Sequence, residues 1–176
     1  MSIFSEIFNQ FGTYGPIIQI FLSMYLLWDK NNLFFYYTVG IFVNAIFNLI
    51  LKGLIQQPRP SEDPKMFELA LKHSKRFLFK DGIPHDIFGM PSGHAQTSFF
   101  STIFIYLSLR KTNVLYTYLF ISLLTMAQRV VYNFHTTFQV LVGAVVGSGF
   151  GYFVYELARV KIKGHITEKM DDYGPN

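Results

Sequence analysis

Five long apolar runs, at about residues 14–28, 33–55, 90–109, 114–132 and 136–157, limit what this chain can fold into more than any other feature. Most of them approach the ~20 residues that a helix needs to cross a bilayer. A soluble bundle would have to hide all five within 176 residues, and domains of that size rarely have so much interior. The fold class expected is therefore all-α: a polytopic membrane helix bundle of about five transmembrane helices, in a single domain over residues 1–176. The absence of cysteine excludes disulfides, cysteine-ligated zinc and thiol catalysis.

Two further segments carry amphipathic patterns. In residues 1–12 the apolar side chains Ile3, Phe4, Ile7, Phe8 and Phe11 fall on one helical face. In the loop 61–89, Asp63 followed by Pro64 reads as a helix cap and first position. From there Met66, Phe67, Ala70, Leu71, Ser74, Phe77 and Leu78 gather on one side, with Lys65, Lys72, Lys75 and Arg76 largely on the other. Both patterns predict interfacial helices lying in a headgroup layer, with membrane lipids as partners.

Loop charge sets the orientation. The turns at 29–32 and 110–113 and the polar tail 159–176 hold Lys30, Arg110, Lys111, Arg159, Lys161, Lys163 and Lys169, which makes that side cytoplasmic. The N-terminus, the loop 61–89 and the 133–134 turn then lie on the extracytoplasmic or lumenal side. The net charge of +4 comes from basic residues outside the apolar runs and suits membrane surfaces or anionic substrates. No nucleic-acid module interrupts the runs, and no nucleic-acid partner is expected.

The polar residues of the runs collect on that extracytoplasmic side. Lys52 lies near the end of the second run and Arg59 follows it, Ser92, Gly93 and His94 open the third, Arg129 closes the fourth, and His135 opens the fifth. Ionisable residues at membrane depth are costly and mark functional sites. Asn44, Asn48 and Lys52, spaced by four, form a stripe that must face the bundle interior. Lys52, Arg59 and Arg129 supply three positive charges suited to a phosphate dianion. The backbone N–H groups at Ser92 and Gly93 open a helix, a ready anion site. Two histidines remain, one to attack phosphorus and one to protonate the leaving oxygen. No metal or other cofactor is demanded, because the cations already do the electrostatic work.

The stretches "KGLIQQPRP", "PSGH" and "RVVYNFH" resemble the three signature motifs of the type 2 phosphatidic acid phosphatase superfamily, and the resemblance covers about residues 44 to 150. It implies that His135 is the nucleophile of a phosphohistidine intermediate and His94 the acid for the leaving group. It further implies that Lys52, Arg59, Ser92, Gly93 and Arg129 hold the phosphoryl oxygens. Two positions depart from the pattern. Gln128 stands where the family has Ser, and its amide could still donate to a phosphate oxygen. Gln139 stands where the family has the Asp that orients the nucleophile. Four residues after His135 on a helix, its oxygen can accept the Nδ1–H and fix the tautomer. A carboxylate there is expected to strengthen the nucleophile.

The Gln139 variant looks most like the dolichyl-diphosphatase branch. The function implied is a membrane-embedded, metal-independent lipid phosphatase that removes the terminal phosphate of a polyprenyl diphosphate, in the endoplasmic reticulum if the source is eukaryotic. Phosphatidate or another lipid monophosphate is the alternative substrate. A catalytically impaired lipid-binding protein is the alternative from another class. The oligomeric state is not fixed by these features.

Overall fold

The computed structural model describes residues 3–80 and 82–163, and among these it forms six helices and one β-hairpin. In chain order they are α1 (Ile3–Leu26), α2 (Asn31–Ile55), α3 (Pro64–Lys72), β1 (Phe77–Lys80), β2 (Ile83–Asp86), α4 (Gly93–Leu109), α5 (Thr112–Val131) and α6 (Thr137–Lys163). Three of them, α2, α5 and α6, are long and apolar enough to cross a membrane, where the sequence pattern leads one to expect about five. Helix α4 falls short because it has 17 residues and a polar share including Gln96, Ser98, Ser101, Thr102 and Ser108, all buried. It can carry them because α1, α2, α5 and α6 all pack around it.

Glycines set how closely the helices approach. Gly143, Gly147 and Gly151 recur every fourth residue along α6, as a ridge of small residues does where membrane helices touch. A Cβ on Gly143 would stand 2.6 Å from the Ser92 carbonyl oxygen, and one on Gly151 2.7 Å from that of Phe100. Gly147 meets the Gln96 carbonyl more tightly still. The partner of the ridge is therefore α4 of the same chain. Gly12 and Gly15 likewise let α1 close on Gln128 and Thr125 of α5.

An aromatic core fills the end of the bundle away from the motif residues. Leu27, Leu33, Tyr37, Phe100, Phe104, Tyr118 and Tyr155 are buried together there. The outer faces stay apolar, with Phe42, Ile46, Phe120 and Val145 among the exposed side chains. A soluble surface seldom shows so much contiguous oil, and a hydrocarbon solvent accounts for it.

Three expectations change. No break separates residues 3–12 from the first apolar run, since Ile3–Leu26 is one helix with Pro16 inside it. In the loop 61–89, α3 starts as its sequence indicates, with Asp63 accepting the Met66 N–H at 2.9 Å. It stops at Lys72, and Ser74 takes a left-handed conformation (φ 53°). Phe77 and Leu78 then belong to an antiparallel hairpin that Gly82 turns with φ 78°. Their alternation has period two: Leu78 packs on the small core of Phe67, Ala70, Ile87 and Phe88, while Phe77 and Phe79 are exposed. Of the polar tail, residues 159–163 continue α6, and the rest lies outside the described residues.

Candidate active site

The buried stripe of α2 runs Asn44, Asn48, Lys52, as its spacing indicates. Gln96 of α4 reads the first two. Its Nε2 donates to Asn44 Oδ1 at 2.9 Å, and its Oε1 accepts from Asn48 Nδ2 at 2.8 Å. Asn48 also donates to the Pro91 carbonyl at 3.2 Å, so α2 is braced against the segment that starts α4. One turn on, Lys52 Nζ donates to the Phe88 carbonyl at 2.9 Å and approaches Asp86 Oδ2 at 3.4 Å. Beyond α2, Gln56 is left-handed (φ 50°), which turns the chain toward Arg59. Arg59 Nε donates to the Asp86 carbonyl at 2.9 Å.

Ser92 sits at the N-cap of α4, yet its hydroxyl makes no capping bond. Its Oγ is buried without a partner. Its backbone N–H is already used, donating to the Gln139 carbonyl at 3.1 Å. The N–H groups still open to an anion at this helix start are therefore those that follow Ser92, from Gly93 onward. At Gly93 a Cβ would stand 3.1 Å from Asn48 Oδ1, so the backbone lies close against α2 there.

Six residues separate Arg129 from His135, and the turn between them explains why both face one point. Asn133 adopts φ 55°, a conformation asparagine tolerates. The N–H groups of Phe134 and His135 then both return to the Arg129 carbonyl, at 3.0 and 3.1 Å. The Phe134 ring lies 4.7 Å under the Arg129 guanidinium. Arg129 Nη2 bonds His94 Nε2, and its Nε is buried without a partner. Arginine only donates, so in this state His94 Nε2 is the acceptor.

His135 is 3% exposed, and its Nδ1 lies 3.2 Å from Gln139 Oε1. Burial pushes the imidazole down to about 3, and the charges of Arg59, Lys52 and Arg129 act in the same direction against the Gln139 bond. It is thus neutral at physiological pH. The charges of Arg129, Arg59 and Lys52 bear on His94 as well. A pair of imidazoles beneath three cations, with a buried hydroxyl and a guanidinium nitrogen left open, is arranged to receive a tetrahedral oxyanion.

The structure brings Lys52, Arg59, Ser92, Gly93, His94, Arg129, His135 and Gln139 to one end of the bundle. Gln128 lies at the same end but faces α1. Its amide donates to Asn9 Oδ1 at 2.8 Å and Thr13 Oγ1 at 3.4 Å on α1, which leaves no N–H for a phosphate. Position 128 lies one residue before Arg129 on α5, and one step round a helix turns a side chain to a different neighbour. Asp86 is bound to Arg76 and Lys52. Burial alone would raise its carboxyl. The Arg76 bond, the Lys52 charge and the Phe88 N–H outweigh that and hold it below the usual carboxylate range.

Residues that sequence reading passed over complete the scaffold. Arg76 donates to both Asp86 oxygens, at 3.2 and 3.1 Å, and to the Leu49 carbonyl at 2.9 Å, pinning the hairpin to α2. Gln57 and Gly89 meet through a backbone bond of 2.7 Å. The signal for Gln57 was its place inside "QQPRP", and for Gly89 its place just ahead of "MPSGH".

Beside His94 a groove of about 400 Å³ runs between α1 and α2. Pro16, Ile17 and Ile20 line one wall, Ala45 and Leu49 the other, and it reaches Gly93 and His94.

A family model, the PAP2 superfamily, matches residues 33–163, from the first turn of α2 to the end of α6. No curated protein and no solved structure gives a match.

Proposed function

The chain belongs to the PAP2 superfamily, a family of phosphatase-type hydrolases, and from that premise we propose that it is a membrane-embedded phosphatase of lipid phosphates. A polyprenyl diphosphate of the dolichyl type is the favoured substrate. The observation that carries this reading is the pair of buried, unpartnered groups, Ser92 Oγ and Arg129 Nε, beside a neutral His135. Leaving such groups unbonded is costly, and a phosphoryl group would satisfy both.

In the proposed reaction His135 Nε2 attacks phosphorus as the bond to the leaving oxygen breaks. The phosphoryl oxygens draw Arg129 away from His94, and the substrate's negative charge lets His94 Nε2 carry a proton. His94 gives that proton to the departing lipid phosphate. Water then attacks the phosphohistidine, His94 takes up its proton, and phosphate and free His135 are released. The charges of Lys52, Arg59 and Arg129 stabilise the trigonal-bipyramidal phosphorus throughout. No step requires a metal.

Two features support a lipid. The groove between α1 and α2 is lined by aliphatic side chains and ends beside His94, so a hydrocarbon chain lying in it presents its phosphate to the cluster. The apolar outer faces of α2, α5 and α6 suit a membrane, in which α1 and α4 would complete a bundle of five crossings with the site on the extracytoplasmic face. A diphosphate is favoured because its leaving group is itself a phosphate, which depends less on a nucleophile backed by a carboxylate.

Phosphate release by the purified protein, from polyprenyl diphosphates and from phosphatidate, tests the proposal. The expected result is turnover that prefers the diphosphate, persists in chelator and falls with vanadate. Preference for phosphatidate would reassign the substrate, a strict magnesium requirement would contradict the metal-free chemistry, and inactivity on every lipid would favour a binding protein.

A further inference from the structure

Gln139 uses every valence of its side-chain amide. Its Oε1 faces His135 Nδ1 and the Thr136 N–H, each at 3.2 Å. Its Nε2 faces Gln57 Oε1 and the Pro58 carbonyl, each at 2.9 Å. Two of these partners are backbone groups with no choice of role: the Thr136 N–H only donates, and the Pro58 carbonyl only accepts. They fix which end of the amide is oxygen. It follows that His135 Nδ1 carries the hydrogen and Nε2 holds the lone pair. Gly89 makes room for this, since a Cβ there would lie 2.7 Å from both heteroatoms of the amide. Gln139 is 1% exposed, so it has nowhere else to go.

We propose that Gln57, the Pro58 carbonyl and Gly89 form a clasp that demands an amide, and not a carboxylate, at position 139, which makes Gln57 and Gly89 positioning residues for His135. The role of His135 as nucleophile rests on the function proposed above; the clasp itself does not. A carboxylate of the same length would keep the bonds to His135 and Thr136. Its second oxygen, however, would stand where Nε2 now donates to two acceptors. Gln57 can turn its own amide over to donate, but the Pro58 carbonyl cannot. A carboxylate at 139 would rotate away or take up a proton, and either response weakens its hold on Nδ1. The expectation from sequence, that a carboxylate strengthens the nucleophile, is thereby reversed. The departure of this chain from the family's Asp is a feature of three segments together: the turn after α2, the residue two before Pro91, and α6.

The test is a double-mutant cycle read by nitrogen NMR of labelled histidine, alongside turnover. In the wild type, the His135 signals should report an Nδ1–H tautomer. Gln139→Glu should lower turnover about tenfold or more, the size of one lost buried hydrogen bond. Gln57→Lys, at an exposed position, sets a donor against Nε2, but the Thr136 N–H and the Pro58 carbonyl still hold the amide, so the Nδ1–H tautomer should persist while turnover falls a few-fold. The double variant pairs an ammonium with a carboxylate, and should recover the Nδ1–H tautomer and much of the turnover. If Gln139→Glu fails to fold, the turnover and tautomer of the double variant decide. Turnover of Gln139→Glu at or above wild type, no recovery in the double variant, or an Nε2–H tautomer in the wild type would overturn the clasp. A wild type with the Nδ1–H tautomer and no phosphatase activity would instead overturn the function and leave the clasp standing.

Discussion

Replacing Asp86 with Asn removes one charge from the junction of hairpin and bundle while keeping the side chain's volume. The carboxylate now receives Arg76 Nε at 3.2 Å, Arg76 Nη2 at 3.1 Å, Lys52 Nζ at 3.4 Å and the Phe88 N–H at 3.1 Å. Asn can keep the two bonds on Oδ1. Its Nδ2, replacing Oδ2, points two further donors at Arg76 and Lys52. The side chains of Asp86 and Lys52 are only 11% and 6% exposed, so water makes up little of the loss. Breaking a fully buried pair costs ~3–5 kcal/mol. Arg76 is 24% exposed and keeps the Leu49 carbonyl, which moves the expected cost to about 2–3 kcal/mol. The denaturation midpoint of the detergent-solubilised protein should fall accordingly at neutral pH. Because the folded carboxyl is held below its unfolded value, its contribution is fully present above about pH 4 and fades as the pH falls through the folded pKa. The gap between wild type and variant should therefore stay constant from neutral pH to about pH 5 and close only in stronger acid. An unchanged midpoint at neutral pH, or a gap that closes while Asp86 is still ionised, would refute the reasoning.

Gly147→Leu should cost activity without changing the oligomeric state, because the new side chain meets the Gln96 carbonyl and pushes α6 from α4; intact activity with a changed state would place the ridge between chains. Ala45→Trp should fill the groove beside His94, raising KM for a long-chain substrate while sparing a short, water-soluble phosphate. Equal losses on both would show that the groove does not hold the chain. In the ligand-free protein, His135 should remain unprotonated across roughly pH 5 to 8, where an ordinary imidazole titrates; a midpoint near 6.5 would contradict its burial beneath three cations.

How much the sequence revealed depended on the range of the interactions involved. Helices announce themselves through local periodicity, so the cores of all five runs were legible. The ridge Gly143, Gly147, Gly151 showed its spacing, but only packing could name α4 as its partner. The hairpin was misread because Phe77 and Leu78 fit a helical wheel when counted from Pro64; the left-handed Ser74 that resets the count leaves no mark in hydropathy. Length and apolarity mark α2, α5 and α6 as spans and leave α4 short, because surrounding helices stand in for solvent around Gln96 and Ser101. The convergence of Lys52, Arg59, His94, Arg129 and His135 was legible because the cost of ionisable groups at membrane depth singles them out. Gln57 and Gly89 were not, since they act through a neighbour across more than forty residues of chain. Spacing alone could not say that the Gln128 side chain, beside Arg129, turns to Asn9 on α1.

The central claim is that His135 takes the phosphoryl group. The most direct measurement is to mix the protein with a polyprenyl diphosphate labelled in its terminal phosphoryl group, quench in denaturant, and locate the label. The account expects a phosphoprotein stable to base and labile to acid, with the label on the peptide that contains His135. The label should be absent from His135→Ala. Turnover that survives in His135→Ala, or wild-type turnover with no label on that peptide, would contradict it.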